Sequence, residues 1–425
     1  MVIPAIWSRL TRRGYSTVYM LDKLGPEGGY PAVMSYRGTP QPRPGGRPLH
    51  PPFHPPFQRR IRKVGAPLGV IITLGTVAGL IVILMTAVNP VGTAIGFLLS
   101  SVAMAVVVLA YLWLDRWEPE PPRLLVLAFV WGTSVAVVVS VALEVYFDSL
   151  INRGETTVSF ASVAIGAPMI EEAAKGLFLL IMMTGRRRNE LNSLTDCLVY
   201  AGITAAGFAW LEDILYISGG GSLAGSLVTA AMRLIMGPFA HPLFTTMIGV
   251  GVYFALQQRN ALAKGGCILL GYLGAVIMHG LWNGSSLLSL EAYFLVYLLW
   301  MVPIFGLAIW LGVASRRGEQ RVVGAKLPGM VAAGLLTPNE ATWLGSIRNR
   351  KLAIGEATRF GGQPAGKAVK NFAAQVVELA FVRDRIERGF GDERVFALQT
   401  EEAYGVMAAR AGAPILQRIA GYRAP

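Results

Sequence analysis

Residues 159–183 read SFASVAIGAPMIEEAAKGLFLLIMM. This stretch is apolar at nearly every position, and about 20 apolar residues in a helix cross the hydrocarbon core of a bilayer. Glu171, Glu172 and Lys175 stand near its middle. A charge at mid-bilayer costs about 2.5–3.5 kcal/mol, so charged residues that are kept there usually face the protein interior and serve a function. The stretch therefore predicts a membrane helix that carries a buried polar site.

The rest of the chain repeats this apolar pattern. Only 15% of its residues are charged, against about 25% in soluble proteins, which excludes a soluble globular protein. Segments long enough to span a bilayer lie at 66–87, 92–114, 124–147, 159–183, 194–217, 227–256, 266–285 and 292–314. We therefore predict an all-α, polytopic integral membrane protein with about eight transmembrane helices.

The loop charges predict the orientation in the membrane. If the N-terminus is cytosolic, the outer loops hold one basic residue, Arg153, and the inner loops hold seven. The seven are Arg116, Arg123, Arg186, Arg187, Arg188, Arg259 and Lys264. Basic residues concentrate on the cytosolic side of membrane proteins. We expect a multi-pass protein of the plasma membrane with both termini in the cytosol.

Two tails flank the membrane region at 66–314. Residues 1–65 are rich in Pro and Arg and predict a disordered cytosolic tail. Residues 315–425 show helical spacing near 369–388 and 398–411 and predict a small helical cytosolic appendage. The basic excess lies in these tails, which favours contact with the lipid bilayer. No nucleic-acid motif or basic stripe with interleaved aromatic residues is present, so we expect no nucleic-acid partner.

The fourth segment carries the first candidate catalytic residues. Glu171 and Lys175 are four residues apart and share a helix face, so they can form an ion pair. Glu172 points about 100° away, and we predict that it has no partner on its own helix. Such a carboxylate can act as a general base for water. The alternative is a structural Glu–Lys pair that joins two helices.

The fifth segment places an acid among aromatic residues. Phe208, Glu212 and Tyr216 recur every four residues and form one stripe on the helix. Because Glu212 lies only about five residues from the predicted end of the span, the alternative is that its side chain is simply hydrated.

Histidines stand in the next two segments. His241 lies between Pro238 and Pro242, which should kink the helix around it, and broken membrane helices line cavities. In the seventh segment, His279 and Asn283 are four residues apart. The histidine can hold water or a metal, and the amide can donate to an oxyanion. The alternative for this pair is an interhelical hydrogen bond, worth about 0.6 kcal/mol.

Together these spans supply carboxylates, imidazoles and an amide, the groups that activate water against a peptide carbonyl. Such Glu/His sets also bind zinc. The chain has no His-Glu-x-x-His helix, no Gly-x-Ser-x-Gly elbow and no paired aspartates in a Gly-x-Gly-Asp setting. Two alternatives remain open. One is a non-catalytic scaffold whose polar network holds helices together, and the other is a transporter with a proton relay, although no inverted repeat supports it.

Four motifs in chain order resemble the PrsW family of intramembrane proteases. They are Glu-Glu-x-x-Lys at 171–175, Phe-x-x-x-Glu-x-x-x-Tyr at 208–216, the span with His241, and His-x-x-x-Asn at 279–283. The loop Asp-Arg-Trp-Glu-Pro-Glu-Pro at 115–121 is also typical of this family. The resemblance implies a membrane endopeptidase, usually classed as a metallopeptidase. Some members make a first cut in a membrane-anchored anti-sigma factor on its extracytoplasmic side.

The PrsW family is similar to a larger superfamily with the CAAX prenyl endoproteases and the scaffold subunit of gamma-secretase. In the CAAX enzymes a histidine stands where this chain has Glu212, which leaves open the role of Glu212 and the use of zinc.

We therefore expect an intramembrane endopeptidase that cleaves a membrane-anchored protein. The expected catalytic residues are Glu171, Glu172, Lys175, Glu212, His241, His279 and Asn283. Glu171 or Glu172 would activate water, Lys175 would hold Glu171, and Glu212 would be a second ligand or acid.

His279 and His241 would orient this water or bind a metal, and Asn283 would stabilise the oxyanion. The expected ligand set for Zn²⁺ is Glu172, His241 and His279.

Overall fold

The computed structural model describes residues 67–151 and 159–423. Within these ranges the secondary structure is helical, without a strand, so the predicted all-α fold is confirmed. The predicted disordered tail at 1–65 lies outside the described residues, and so does Arg153.

Fifteen helices, which we number α1 to α15, build the described chain. They are α1 (Leu68–Val88), α2 (Pro90–Leu114), α3 (Pro122–Trp131), α4 (Val137–Ile151), α5 (Ala167–Met182), α6 (Leu194–Ser218), α7 (Leu223–Ala231), α8 (Ala240–Leu256), α9 (Ala261–Leu288), α10 (Leu290–Val296), α11 (Val302–Ala332), α12 (Pro338–Leu344), α13 (Ile347–Arg385), α14 (Glu393–Ala411) and α15 (Ile415–Arg418).

Seven helical stretches in the described ranges are long and apolar enough to cross a membrane, which confirms a polytopic membrane protein. They are Leu68–Val88, Pro90–Leu114, Pro122–Leu150, Leu194–Ser218, Leu223–Leu256, Ala261–Leu288 and Leu290–Ala332. The remaining predicted segment, 159–183, forms α5 after a π-helical turn at Ser162–Gly166. It is not among the seven because every stretch of spanning length within it contains Glu171, Glu172 and Lys175. The count of eight spans stays a prediction.

Helix α6 lies at the centre of the bundle, and nearly all its residues are buried. Its neighbours approach closely because glycines stand at the crossings. A Cβ on Gly132 would lie 2.0 Å from the carbonyl oxygen of Thr204, and one on Gly207 would lie 2.0 Å from that of Phe129. Only glycine permits such backbone contact, and these crossings hold α3 and α4 against the part of α6 that carries Glu212.

The predicted kink near His241 is present at one proline and absent at the other. A π-helical turn at Met232–Met236 follows α7, and the helix breaks before α8 begins at Ala240. Pro238 lies in this break, as predicted. Pro242 causes no kink, because it lies in the first turn of α8, where a backbone N–H has no partner within the helix.

The C-terminal region is a helical unit with its own core, which includes Trp343, Phe372 and Val376. Helix α11 continues from the last membrane span to Ala332, so the chain is not interrupted at the predicted boundary after residue 314. Helix α13 bends at Gly362, whose φ of 74° favours glycine.

Candidate active site

The structure brings six of the seven predicted catalytic residues into one buried polar network. Helix α5 supplies Glu171, Glu172 and Lys175, and the neighbouring helices α6, α8 and α9 each supply one residue. These three are Glu212, His241 and His279. Glu172 and Lys175 are completely buried, and His279 is 1% exposed. A group can therefore reach these residues only by entering the bundle.

The Lys175 ammonium is the centre of this network. Its Nζ lies 3.0 Å from Glu171 Oε2, 2.8 Å from Glu172 Oε1 and 3.1 Å from His241 Nδ1. The ring of Phe208 covers it at 4.0 Å. The prediction that Glu172 has no partner on its own helix was wrong. Residues three apart are also neighbours on a helix, and the long lysine side chain reaches both glutamates.

Each histidine is fixed by a carboxylate on one side of its ring. His279 Nδ1 lies 3.1 Å from Glu172 Oε1, and His241 Nε2 lies 2.7 Å from Glu212 Oε2. A neutral imidazole that donates from one nitrogen carries its lone pair on the other. With both rings neutral, the two lone pairs belong to His241 Nδ1 and His279 Nε2, and both of these atoms face Glu171.

Glu171, His241 and His279 form a group that can hold a metal ion, with their ligand atoms within 4.8 Å of one another. Glu171 Oε2 lies 3.8 Å from His241 Nδ1 and 3.9 Å from His279 Nε2. Three such ligands with one open position fit a catalytic zinc site. Zinc-bound histidines commonly donate their other ring N–H to a carboxylate, and here Glu172 and Glu212 are placed to accept it. A metal would have to displace the Lys175 ammonium, which bonds two of the three ligand atoms. The predicted set named Glu172 where the structure has Glu171.

Arg233 anchors Glu212 from the side away from His241. Its Nη2 donates to Glu212, and its Nε donates to Asp213 Oδ1 at 2.6 Å. The guanidinium also lies over the ring of Tyr216 at 4.2 Å. The Glu212 side chain is only 14% exposed. Glu212 is therefore enclosed by partner residues, whereas the alternative interpretation expected its side chain to be simply hydrated.

Besides Arg233, two more residues join the site that the predicted catalytic set did not contain. Thr245 is buried and its hydroxyl donates to Glu172 Oε2 at 2.8 Å. Thr245 stands one helical turn after His241, and this spacing in the sequence could have indicated that both residues lie on the same helix face. Glu144 in α4 lies close enough to Glu212 for their charges to interact. Its Oε1 is buried without a hydrogen-bond partner in the described part of the chain. An acid inside the third apolar segment was the signal for it.

Asn283 lies outside the network. Its Nδ2 donates to the carbonyl oxygen of Val163 at 3.4 Å, so it links α9 to the turn before α5. It stands one helical turn after His279, and its predicted contact with an oxyanion stays a prediction.

The acidic loop at 115–121 forms a separate cluster at one end of the bundle. Asp115 Oδ2 accepts from the backbone N–H of Glu120 at 2.8 Å, and Glu120 Oε2 accepts from the Tyr200 hydroxyl at 2.6 Å. Burial raises the pKa of Asp115 to about 7 and raises the pKa of Glu120 well above its usual range. These contacts attach the loop to the first half of α6.

Comparison with known proteins identifies the region that carries the network. The family described as PrsW family intramembrane metalloprotease matches residues 120–308. The chain is 24% identical over 222 residues to Protease PrsW of Oceanobacillus iheyensis, covering 50% of this chain and 95% of that protein.

Two further relatives are similar. Protease PrsW of Geobacillus kaustophilus is 26% identical over 50% of this chain and 86% of its own length. That of Bacillus subtilis is 23% identical over 52% of this chain and 95% of its own length. No solved structure matches the chain. Residues 120–308, which contain every residue of the buried network, are similar to the PrsW family of intramembrane proteases, and the protein is a membrane peptidase.

Proposed function

We propose that the protein hydrolyses a peptide bond of a membrane-anchored protein and that the buried network is its active site. One observation carries this proposal. The Glu171 carboxylate lies between the lone-pair nitrogens of two imidazoles, and each imidazole is held by a second carboxylate. A network that served only to hold helices together would not require both lone pairs to face one carboxylate.

Glu171 is the proposed general base. One of its oxygens accepts from Lys175, and the carboxylate can take a proton from water held by His241 and His279. Lys175 holds the carboxylate in place and keeps a positive charge next to it. This assignment chooses Glu171 between the two glutamates that the sequence left open.

Glu172 and Glu212 are proposed to orient the histidines. Each accepts from one ring nitrogen, and this contact determines which nitrogen carries the lone pair. Thr245 and Arg233 in turn hold these two carboxylates.

If a metal is bound, Glu171, His241 and His279 would hold it, with Glu171 as a ligand rather than as the base, and Zn²⁺ fits this donor set. A bound zinc lowers the pKa of its water and polarises a carbonyl. The side chain of Lys175 must then turn its ammonium away from Glu171 and His241. Asn283 is proposed to donate to the oxyanion of the substrate.

The proposed substrate is a membrane-anchored anti-sigma factor, and the family resemblance alone supports this choice. We also propose that the protein lies in the plasma membrane with both termini in the cytosol. The basic residues of the loops support this orientation.

The test is a comparison of new protein N-termini in the membranes of cells that express the wild type or Glu171→Gln at matched levels. The proposal expects new termini in or near the spans of single-span proteins, seen only with the wild type. Glu401→Gln, the same acid-to-amide change at an exposed position of α14, is the matched control and should retain these cuts. Identical sets of termini with wild type and Glu171→Gln would contradict the proposal and favour the scaffold alternative.

A further inference from the structure

A cavity of about 1040 Å³ lies between the membrane helices and the C-terminal region. The membrane side of its wall comes from α2, α3 and α6 and is apolar, with Met104, Val108, Leu125, Phe129 and Trp210. None of the residues of the buried network lines it. The cavity is therefore a feature apart from the active site.

The other side of the wall is basic. Arg116 follows the end of α2, and α13 contributes Arg350, Lys351 and Lys370. A ligand that filled this cavity would meet apolar side chains along the membrane helices and cations where those helices end. This is the distribution of polarity in a phospholipid.

Arg350 is the observation that points to a ligand. The residue is 8% exposed, and its Nε and Nη2 have no hydrogen-bond partner among the described residues. Its guanidinium lies over the ring of Trp117 at 4.1 Å. A buried guanidinium without a partner for its N–H groups is costly, and an anion in the cavity would supply that partner.

Two carboxyls also line the cavity, but neither is a hydrogen-bond partner of Arg350. Asp115 and Glu120 accept from the loop backbone and from Tyr200, and neither pairs with Arg350. Burial raises the pKa of both groups, to about 7 for Asp115, so their negative charge is reduced near neutral pH. The four cations therefore dominate the electrostatics of the cavity.

We propose that this cavity binds an anionic phospholipid, whose phosphate accepts from Arg350 and whose acyl chains lie along the apolar wall. Lys351, Lys370 and Arg116 surround the headgroup. The wall residues Leu112 and Val126 are exposed at the bundle surface, so the cavity opens towards the bilayer and the acyl chains can extend into it. A free phosphate would leave this apolar wall without an occupant. Basic pockets at membrane helix ends commonly bind lipid headgroups.

The test uses the purified full chain in neutral detergent and follows its thermal unfolding as lipid is added. Dioleoyl phosphatidylglycerol is the anionic probe and dioleoyl phosphatidylcholine is the neutral one. A ligand that binds the folded state raises the midpoint of unfolding in proportion to its occupancy. We expect the anionic lipid to raise the midpoint and the neutral lipid to leave it nearly unchanged.

Arg350→Gln should weaken the response to phosphatidylglycerol by about 10- to 100-fold in lipid concentration, because hydrogen bonds to charged groups are strong. Arg348→Gln is the matched control, since it removes the same charge from an exposed position of the same helix that does not line the cavity. Its response should equal that of the wild type. If Arg350→Gln does not fold, the double variant of the exposed Lys351 and Lys370 to Gln replaces it, and its response should also weaken.

Three results would overturn the proposal. Equal responses to the two lipids would show non-specific solvation by lipid. An equal response to inorganic phosphate would show an anion site without lipid. An unchanged response in Arg350→Gln, or in the double variant if that replaces it, would remove the assigned headgroup contact.

Discussion

Lys175→Met tests whether one ammonium organises the active site. The substitution keeps a long side chain but removes the three contacts to Glu171, Glu172 and His241. Two buried carboxylates then lose their cation. Breaking a buried charge pair by removing one partner costs about 3–5 kcal/mol. We expect the free energy of unfolding to fall by this amount.

The assay is thermal unfolding of the purified protein in detergent. About 3–5 kcal/mol corresponds to a decrease of roughly 6–20 °C in the unfolding midpoint for a domain of this size class. Lys264→Met, which removes a lysine from an exposed position at the start of α9, is the matched control and should leave the midpoint unchanged.

The double variant Lys175→Met with Glu172→Gln should recover part of the loss, because it also removes one of the two uncompensated charges. An unchanged midpoint in Lys175→Met would contradict the stabilising role of this ammonium. A double variant that is less stable than Lys175→Met would refute it as well.

Three further predictions concern the crossing of helices, the acidic loop and the metal. Gly132→Ala should lower the free energy of unfolding by about 1–3 kcal/mol or more, because its Cβ would lie 2.0 Å from the carbonyl oxygen of Thr204. The control Gly79→Ala places a Cβ that meets nothing within 4 Å and should not destabilise the protein. Equal unfolding midpoints of the two variants would contradict this prediction. Burial raises the pKa of Asp115 to about 7 in the folded state. The stabilisation linked to its protonated form is therefore complete below the unfolded pKa. It is lost as pH rises towards 7, and the free energy of unfolding falls by about 1.4 kcal/mol per pH unit. Asp115→Asn should therefore flatten the decrease of the unfolding midpoint between pH 5 and 7, and an unchanged slope would exclude this cause. Elemental analysis should find zinc in the purified wild type and in Asn283→Ala but not in Glu171→Gln, and equal metal content in all three would exclude the proposed ligand set.

The helices and the composition of the site could be predicted from sequence because both depend on local patterns. Apolar runs of bilayer length indicate membrane helices, and charged residues inside them indicate a buried site. The fourth segment, 159–183, shows the limit of this signal. Its three charged residues keep it out of the seven stretches that are apolar enough to cross a membrane, although α5 carries the centre of the network.

The contacts within the site could not be predicted, because they depend on how helices cross. Glu172 was expected to lack a partner on α5, but Lys175 reaches it at 2.8 Å. No spacing along the chain indicates that Glu212 faces His241, since these residues lie on different helices. The cavity around Arg350 depends in the same way on the position of α13 against the membrane helices, which a single sequence does not encode in any short pattern.

The most direct test of the central claim is hydrolysis by the purified protein in liposomes, with the membrane protein that the comparison of N-termini identifies as its substrate. The reaction is run in ¹⁸O-labelled water, and the new C-terminal carboxylate is examined by mass spectrometry. We predict that the wild type cuts the substrate and incorporates the label. Folded Glu171→Gln and His279→Ala should cut at least about 100-fold more slowly, as expected when a general base or the group that holds the water is lost. Cleavage by both variants at the rate of the wild type would contradict the assignment of this buried network as the active site.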